Sequence, residues 1–209
     1  MYRRFSPFSI GPFTIIPKGD TSPPAGMPII LGTKGAFGSG EHETTAACLE
    51  LLTTLPSLTS ATLLDLGSGT GILAIAALRL GAAAVTAIDI EEDACRSCRE
   101  NLTYNQLEDR VRVLCGELSA VNGEQFDHIM ANISVDILIP LAPQVVAMTR
   151  PGGTILLSGV PLQDKFDLKC CYERLGCHEI DSRIGEEFAS YLLQAPGSPL
   201  DRTCHSTQQ

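Results

Sequence analysis

The run Asp65-Leu66-Gly67-Ser68-Gly69-Thr70-Gly71 constrains the fold of this chain more tightly than any other segment. It lies between an apolar stretch over 62–66 and a helical pattern over 72–80, so it reads as a strand turning sharply into a helix. Glycines at such a turn let the backbone approach a ligand where a Cβ would collide. A second apolar stretch over 84–88 leads to Asp89, about twenty residues beyond the turn, where a carboxylate can accept hydrogen bonds from both hydroxyls of a ribose. Two other readings stand beside this one: a tight turn that binds nothing, and an Asp89 that caps the acidic helix start at Glu91, Glu92 and Asp93.

Dinucleotide-binding turns share this arrangement but carry a third glycine for close helix packing and pyrophosphate access. That glycine would fall at position 72, which is Ile72. Spacing of the form G-x-G-x-G, with Asp65 two residues ahead of it, favours S-adenosylmethionine, a ligand with no pyrophosphate to seat on the helix.

From the turn onward short apolar runs alternate with helical stretches. Strands are expected over 62–66, 84–88, 111–115, 126–131 and 154–158, and helices over 72–80, 92–104, 135–148 and 165–175. Alternation of this kind means a parallel sheet covered on both faces, an α/β Rossmann-like doubly wound architecture. Pro140 and Pro143 interrupt the helix over 135–148, which either begins near Pro140 or carries a kink. Stretches 176–184 and 187–194 around Gly185-Glu186 read as a C-terminal antiparallel hairpin. Ahead of the turn, Thr44, Ala47, Cys48, Leu51, Leu52 and Leu55 repeat at helical spacing until Pro56. Before them, apolar runs over 13–16 and 27–31 are edge strands or an extended arm.

A formal net charge of -9 argues against a surface that neutralises nucleic-acid phosphates and favours encounter with a basic partner. The eight cysteines are scattered through core-like segments, which points to reduced thiols in a cytoplasmic protein. Cys95 and Cys98 have C-x-x-C spacing, yet with Leu102 they recur on one helical face, and no second pair completes a metal site. Gly11 and Pro12 break the N-terminal apolar run before it could serve as a signal sequence, and no run is long enough to span a membrane.

Several segments together resemble one family of class I methyltransferases, the ribosomal protein L11 methyltransferases (PrmA). They are Ala36-Phe37-Gly38-Ser39-Gly40-Glu41-His42-Glu43-Thr44-Thr45, the run from Asp65 through Ala77, Ile88-Asp89-Ile90, Ala131-Asn132-Ile133, and Pro151 through Gly159. The resemblance runs from about Phe13 to Gln194. It implies a seven-stranded sheet, mostly parallel, with one antiparallel strand in the last hairpin. It also implies Thr45, Gly67, Asp89 and Asn132 as cofactor contacts, with Asp65, Gly69, Gly71 and Ile90 in the same matching runs and Glu117 on the adenine side. On this reading the chain divides into an arm over 1–35, an S-adenosylmethionine-dependent methyltransferase domain over 36–195 and a polar tail over 196–209. The pattern departs at Thr33-Lys34, Glu43 and Ser68. Family members that modify the ribosomal protein also carry a recognition domain ahead of the catalytic one, whereas a short arm precedes the motif here.

Methyl transfer from a sulfonium to an amine is an in-line displacement governed by alignment and exclusion of water. The attacking lysine or α-amine must be neutral, and Asn132 is the candidate to accept its hydrogen bond; the alternative is an asparagine that caps the next helix. Phe37 reads as a lid or a cation-π surface, His42 as a structural or electrostatic residue at the start of its helix, and His128 as packing inside a strand. An aromatic cage would draw on Phe37, Tyr104, Phe126, Phe188 or Tyr191, and no metal is expected. The leading expectation is N-methylation of a basic protein such as a ribosomal protein. The alternatives are a small-molecule N-methyltransferase and a cofactor-binding module without catalysis. Nucleic acid is not an expected partner, because Asn132-Ile133-Ser134-Val135 shares only its asparagine with the Asn-Pro-Pro-aromatic motif of base methylation.

Overall fold

A computed structural model of the protein describes residues 5–32, 41–55 and 58–197. Apolar runs of five to seven residues, too short for stable helices, become the inner strands: β4 (Thr62–Leu66), β5 (Ala84–Asp89), β6 (Val111–Cys115) and β7 (Phe126–Asn132). With β8 (Thr149–Pro161), β9 (His178–Ile184) and β10 (Phe188–Gln194) they form a seven-stranded sheet of order β6-β5-β4-β7-β8-β10-β9. All neighbours pair in parallel except β10, which is antiparallel to both β8 and β9. The expected architecture and its terminal hairpin are therefore present.

Alternate residues of each inner strand face opposite sides. Leu63 joins a core with α1 (Glu43–Thr54), α2 (Ile72–Arg79) and α3 (Glu92–Asn105), whereas Leu64 and Leu66 join a core with α4 (Val135–Met148) and α5 (Lys165–Arg174). Chain direction across the sheet reverses between β4 and β7, which opens a crevice beyond the strands' carboxyl ends, the place where doubly wound sheets bind ligands.

Of the two alternatives for the start of the chain, edge strands or an extended arm, residues 5–32 take the strands. β1 (Phe8–Ile10), β2 (Phe13–Pro17) and β3 (Met27–Leu31) form a small separate sheet, antiparallel at β1–β2 and parallel at β2–β3. Phe13, Ile15, Ile29 and Leu31 are fully buried against α1, α2 and α3. A polar pairing fixes this sheet to α3: Asn105 accepts the Ile30 N–H at 3.0 Å and donates to the Ile30 carbonyl at 2.7 Å, as a neighbouring strand would. Arg79 adds a bond to the Pro28 carbonyl at 3.2 Å.

Helix α4 runs without a break from Val135 through both prolines. Pro143 cannot donate to Ile139, and the freed Ile139 carbonyl instead faces the Cys171 thiol of α5 at 3.9 Å. Tyr172 of α5 donates its hydroxyl to the Leu138 carbonyl at 3.3 Å. Strand β8 is longer than the expected 154–158, starting at Thr149 and absorbing Pro151-Gly152-Gly153 as an irregularity opposite the Phe126 to His128 pairs. His128 is packed, with Nδ1 2.7 Å from Thr154 Oγ1, and burial depresses its pKa. The chain stays packed through Pro196, whose carbonyl accepts from Gly152; the rest of the expected tail, from 198, lies outside the described residues. Among the described residues no helix is long and apolar enough to cross a membrane.

Candidate functional site

The turn after β4 is tied to the end of β5 by its backbone. The Ile88 carbonyl accepts the N–H of Gly67 at 2.8 Å and of Ser68 at 3.1 Å, and Gly71 N–H donates to the Ser68 carbonyl at 2.7 Å. Gly71 sits at the start of α2 with φ +76°, and a Cβ there would lie 2.6 Å from Cys98 Sγ. Its missing side chain therefore serves contact with α3, and Gly71 does not line the cleft that the other candidates share. Both thiols of the C-x-x-C pair have packing roles: Cys98 lies against Gly71, and Cys95 Sγ faces the Asp89 and Leu114 carbonyls at 3.5 and 3.4 Å. Cys95 and Cys98 are fully buried on α3, and burial pushes their thiols up to about 11 and about 12, away from the thiolate that metal or redox chemistry needs. Among the described residues no three His, Cys, Asp or Glu side chains group to hold a metal ion.

An open cleft of about 1610 Å³ lies over the carboxyl ends of the strands. Asp65, Gly67, Gly69, Asp89, Ile90, Glu117, Thr45 and Asn132 all line it. Asp65 is buried and accepts the Ala74 N–H at 3.1 Å, and burial raises its carboxyl pKa to about 7. Asp89 accepts the Gly69 N–H at 2.9 Å on one oxygen and the Glu91 N–H at 3.0 Å on the other. It does not cap α3, whose N-cap is Glu91 without a side-chain cap bond; it braces the glycine turn and the β5–α3 corner instead. Each carboxylate oxygen has a second acceptor site, so capacity for ligand hydroxyls remains. Ile90 beside it is 69% exposed, an apolar side chain held at the cleft wall. Gly116 N–H bonds the Asp89 carbonyl at 2.8 Å, which brings Glu117 to the same end.

The other half of the cleft is built by β7, β8, β10 and the start of α1. Asn132 ends β7, and its Nδ2 donates to Thr45 Oγ1 at 3.5 Å. Ser158, its register partner on β8, donates to the Thr44 carbonyl at 3.3 Å and shares a 2.6 Å hydroxyl pair with Ser190. His42 caps α1, its Nδ1 accepting the Thr44 N–H at 3.3 Å, and its ring meets Phe188 edge-on at 5.4 Å. Of the aromatic candidates, Phe188 and Tyr104 reach the cleft, and Lys18 Nζ stands 3.7 Å over the Tyr104 ring. Phe126 and Tyr191 are core residues. Phe37 and the Ala36 to Gly40 stretch lie outside the described residues.

Two site-supporting features escape a reading of the sequence. Asn101 accepts the Gly32 N–H at 2.7 Å and donates to the Thr70 carbonyl at 2.9 Å, joining the end of β3 to the glycine turn. The detectable signal was a pair of amides, Asn101 and Asn105, four residues apart on a face otherwise lined by Cys98 and Leu102. The second feature is the Glu43 carboxylate, which takes three backbone amides of the β9–β10 turn.

Residues 1–186 match the family model described as ribosomal protein L11 methyltransferase (PrmA). A ribosomal protein L11 methyltransferase of Pelobacter propionicus is 44% identical over 163 residues, which cover 75% of this chain and 52% of the relative. One of Shewanella amazonensis is 41% identical over 149 residues, covering 71% and 50%. The chain spans about half the length of these curated relatives. The crystal structure of a ribosomal protein L11 methylase from Lactobacillus delbrueckii subsp. bulgaricus superposes with a TM-score of 0.84 at 25% identity, covering 92% of this chain and all of that one.

Proposed function

The chain belongs to the ribosomal protein L11 methyltransferase (PrmA) family, and from that premise we propose that it transfers methyl groups from S-adenosylmethionine to amino groups of a ribosomal protein of the L11 kind. The observation that carries the proposal is the continuity of one cleft from Asp89 to Asn132. Its first half has the chemistry of a nucleoside site: a carboxylate with spare acceptor capacity beside an exposed isoleucine, behind a glycine turn. These residues fit the cofactor. Asp89 would hold the ribose hydroxyls, Ile90 would pack against the adenine, Glu117 would accept from its exocyclic amine, and the turn at Gly67 and Gly69 would pass close to the amino-acid part.

When bound, S-adenosylmethionine supplies an electrophilic methyl carbon on a sulfonium centre. The protein's own contribution is alignment and proton handling. Thr45 Oγ1 occupies the Asn132 Nδ2, which leaves the Asn132 side-chain carbonyl to accept from the incoming amine and orient its lone pair. The attacking amine must be neutral, so its proton passes to water before the methyl group is transferred. Glu91, Asp93, Glu100 and Asp136 line the same cleft and draw a cationic partner toward it. The transferase unit is assigned to 36–195, with the preceding residues 5–32 packed against its helices, and it acts in the cytoplasm, where a ribosomal substrate is met.

Incubating the purified protein with ribosomal protein L11 and labelled S-adenosylmethionine tests this directly. The expected result is label on lysine or α-amino groups, located by peptide mass. Label confined to small molecules of a cell extract would reject the proposal.

A further inference from the structure

Glu43 is one of the positions at which the sequence departs from the pattern it otherwise resembles. Its carboxylate lies in a nest of three successive backbone amides. Oε2 accepts the Glu186 N–H at 2.9 Å, and Oε1 accepts the Glu187 and Phe188 N–H groups, each at 3.1 Å. Gly185 comes so close that a Cβ there would lie 2.2 Å from Oε2. Within the turn, Gly185 N–H closes onto the Phe188 carbonyl at 2.8 Å, while the Phe188 N–H is turned to Glu43. These amides hold the Glu43 carboxyl below the usual carboxylate range, with the Glu186 bond the largest cause.

The consequence reaches the cleft. Glu43 opens α1, so its grip on the hairpin turn joins two segments distant in sequence at the point where His42, Thr44 and Thr45 also stand. Phe188, held by its own amide, lines the cleft, meets the His42 ring and pairs in register with Pro161 of β8, itself a lining residue. In sheet order, the half of the cleft that suits a nucleoside lies over β4, β5 and β6, and Phe188 lies over the opposite half, beyond Asn132. A wall on that side bounds the space left for the methyl acceptor.

We infer that Glu43 is a positioning residue for the acceptor: by clamping the β9–β10 turn onto α1 it fixes Phe188 as a wall of the acceptor half of the cleft, away from Asp89, Ile90 and Glu117 in the nucleoside half. This rests on the methyl-transfer reading above. Three variants test it: Glu43→Ala, Glu43→Gln, which keeps shape but halves the acceptor capacity, and Phe188→Ala. Amide exchange at Glu186, Glu187 and Phe188 should quicken about tenfold or more in Glu43→Ala and less in Glu43→Gln. The magnetisation transfer between the His42 and Phe188 rings should be lost in Glu43→Ala. Unchanged exchange together with an unchanged ring contact would overturn the inference, whatever the acceptor.

With ribosomal protein L11 as acceptor, Glu43→Ala should raise its KM about fivefold or more, with the Kd for S-adenosylhomocysteine within about twofold of the unaltered protein. Adding Glu43→Ala to Phe188→Ala should then cost little more than Phe188→Ala alone. An unchanged KM, or a cofactor Kd that moves by the same factor, would also overturn the inference. If the unaltered protein transfers no methyl group to L11, the methyl-acceptor reading fails, while exchange and the ring contact still decide whether Glu43 clamps the turn.

Discussion

The side-chain amide of Asn101 donates to the Thr70 carbonyl at 2.9 Å while its oxygen accepts the Gly32 N–H at 2.7 Å, so one buried residue holds the glycine turn against the end of the small sheet. Replacing it with alanine strands the buried Thr70 carbonyl, at about 1–3 kcal/mol, and releases the half-buried Gly32 amide. Asn101→Ala should therefore lower the free energy of unfolding in urea by about 2 kcal/mol or more. It should also weaken S-adenosylhomocysteine binding, since the turn loses its support. Full stability in the variant would show that the bridge contributes nothing.

Asp89 carries the heaviest ligand-binding assignment. A ligand at one hundred times its Kd stabilises the folded state by about 2.7 kcal/mol. S-adenosylhomocysteine should raise the melting temperature of the unaltered protein well beyond any effect of NAD, and Asp89→Ala should abolish that rise. A shift that survives the substitution would remove Asp89 from the ribose contact.

Asp65 should titrate near pH 7, since burial raises its carboxyl to about that value from 3.8. The sign follows from linkage: the folded state holds this proton more tightly than the unfolded chain, so the contribution is full below 3.8 and is lost as pH rises through about 7. Asp65→Asn should flatten the dependence of stability between those limits. The carboxyl carbon shift of Asp65 reports the midpoint, and a value close to 4 would contradict the assignment.

His128 works in the opposite sense. Burial lowers its pKa below 6.5, so the folded state resists protonation and stability is lost as pH falls below 6.5. In His128→Gln that acid-side loss should diminish, as judged by urea melts at pH 5 and pH 8. An equal loss in the variant would assign it to other groups.

Gly71→Ala combines two penalties: a left-handed backbone at φ +76° and a Cβ 2.6 Å from Cys98 Sγ. The first is worth about 1–2 kcal/mol. Adding Cys98→Ala to Gly71→Ala should recover part of the remainder and none of the backbone cost. Additive losses in the double variant would mean that the two residues do not press on each other.

The inner strands and helices were legible because each apolar run ends near a turn former and each helical face repeats at its own period. Observed bounds for β4, β6 and α4 coincide with the expected ones. The continuity of α4 was not legible, because the groups that face its proline-freed carbonyls, such as the Cys171 thiol near Ile139, come from another helix. Nor was the small sheet: Phe13 and Met27 start runs that could pair or dangle, and the residue that settles the matter, Asn105, is 75 positions away from Ile30. In the site, motif spacing gathers Asp65, Gly67, Gly69, Asp89 and Asn132 along one cleft, but spacing cannot say which side of a turn faces the ligand. Gly71 faces Cys98 instead. Glu43 was visible only as a departure from a pattern; the three amides that explain it come from the far end of the chain.

The Asn105 amide, bonded to both the N–H and the carbonyl of Ile30, also bears on how the molecule behaves in a crowd. β3 is the last strand of its sheet, and an open strand border is where a second chain can add itself. Asn105, with Arg79 on the Pro28 carbonyl and Asn101 on the Gly32 N–H, satisfies that border from within, and together they act as a stopper. A strand added there would have to displace bonds that the molecule already makes to itself.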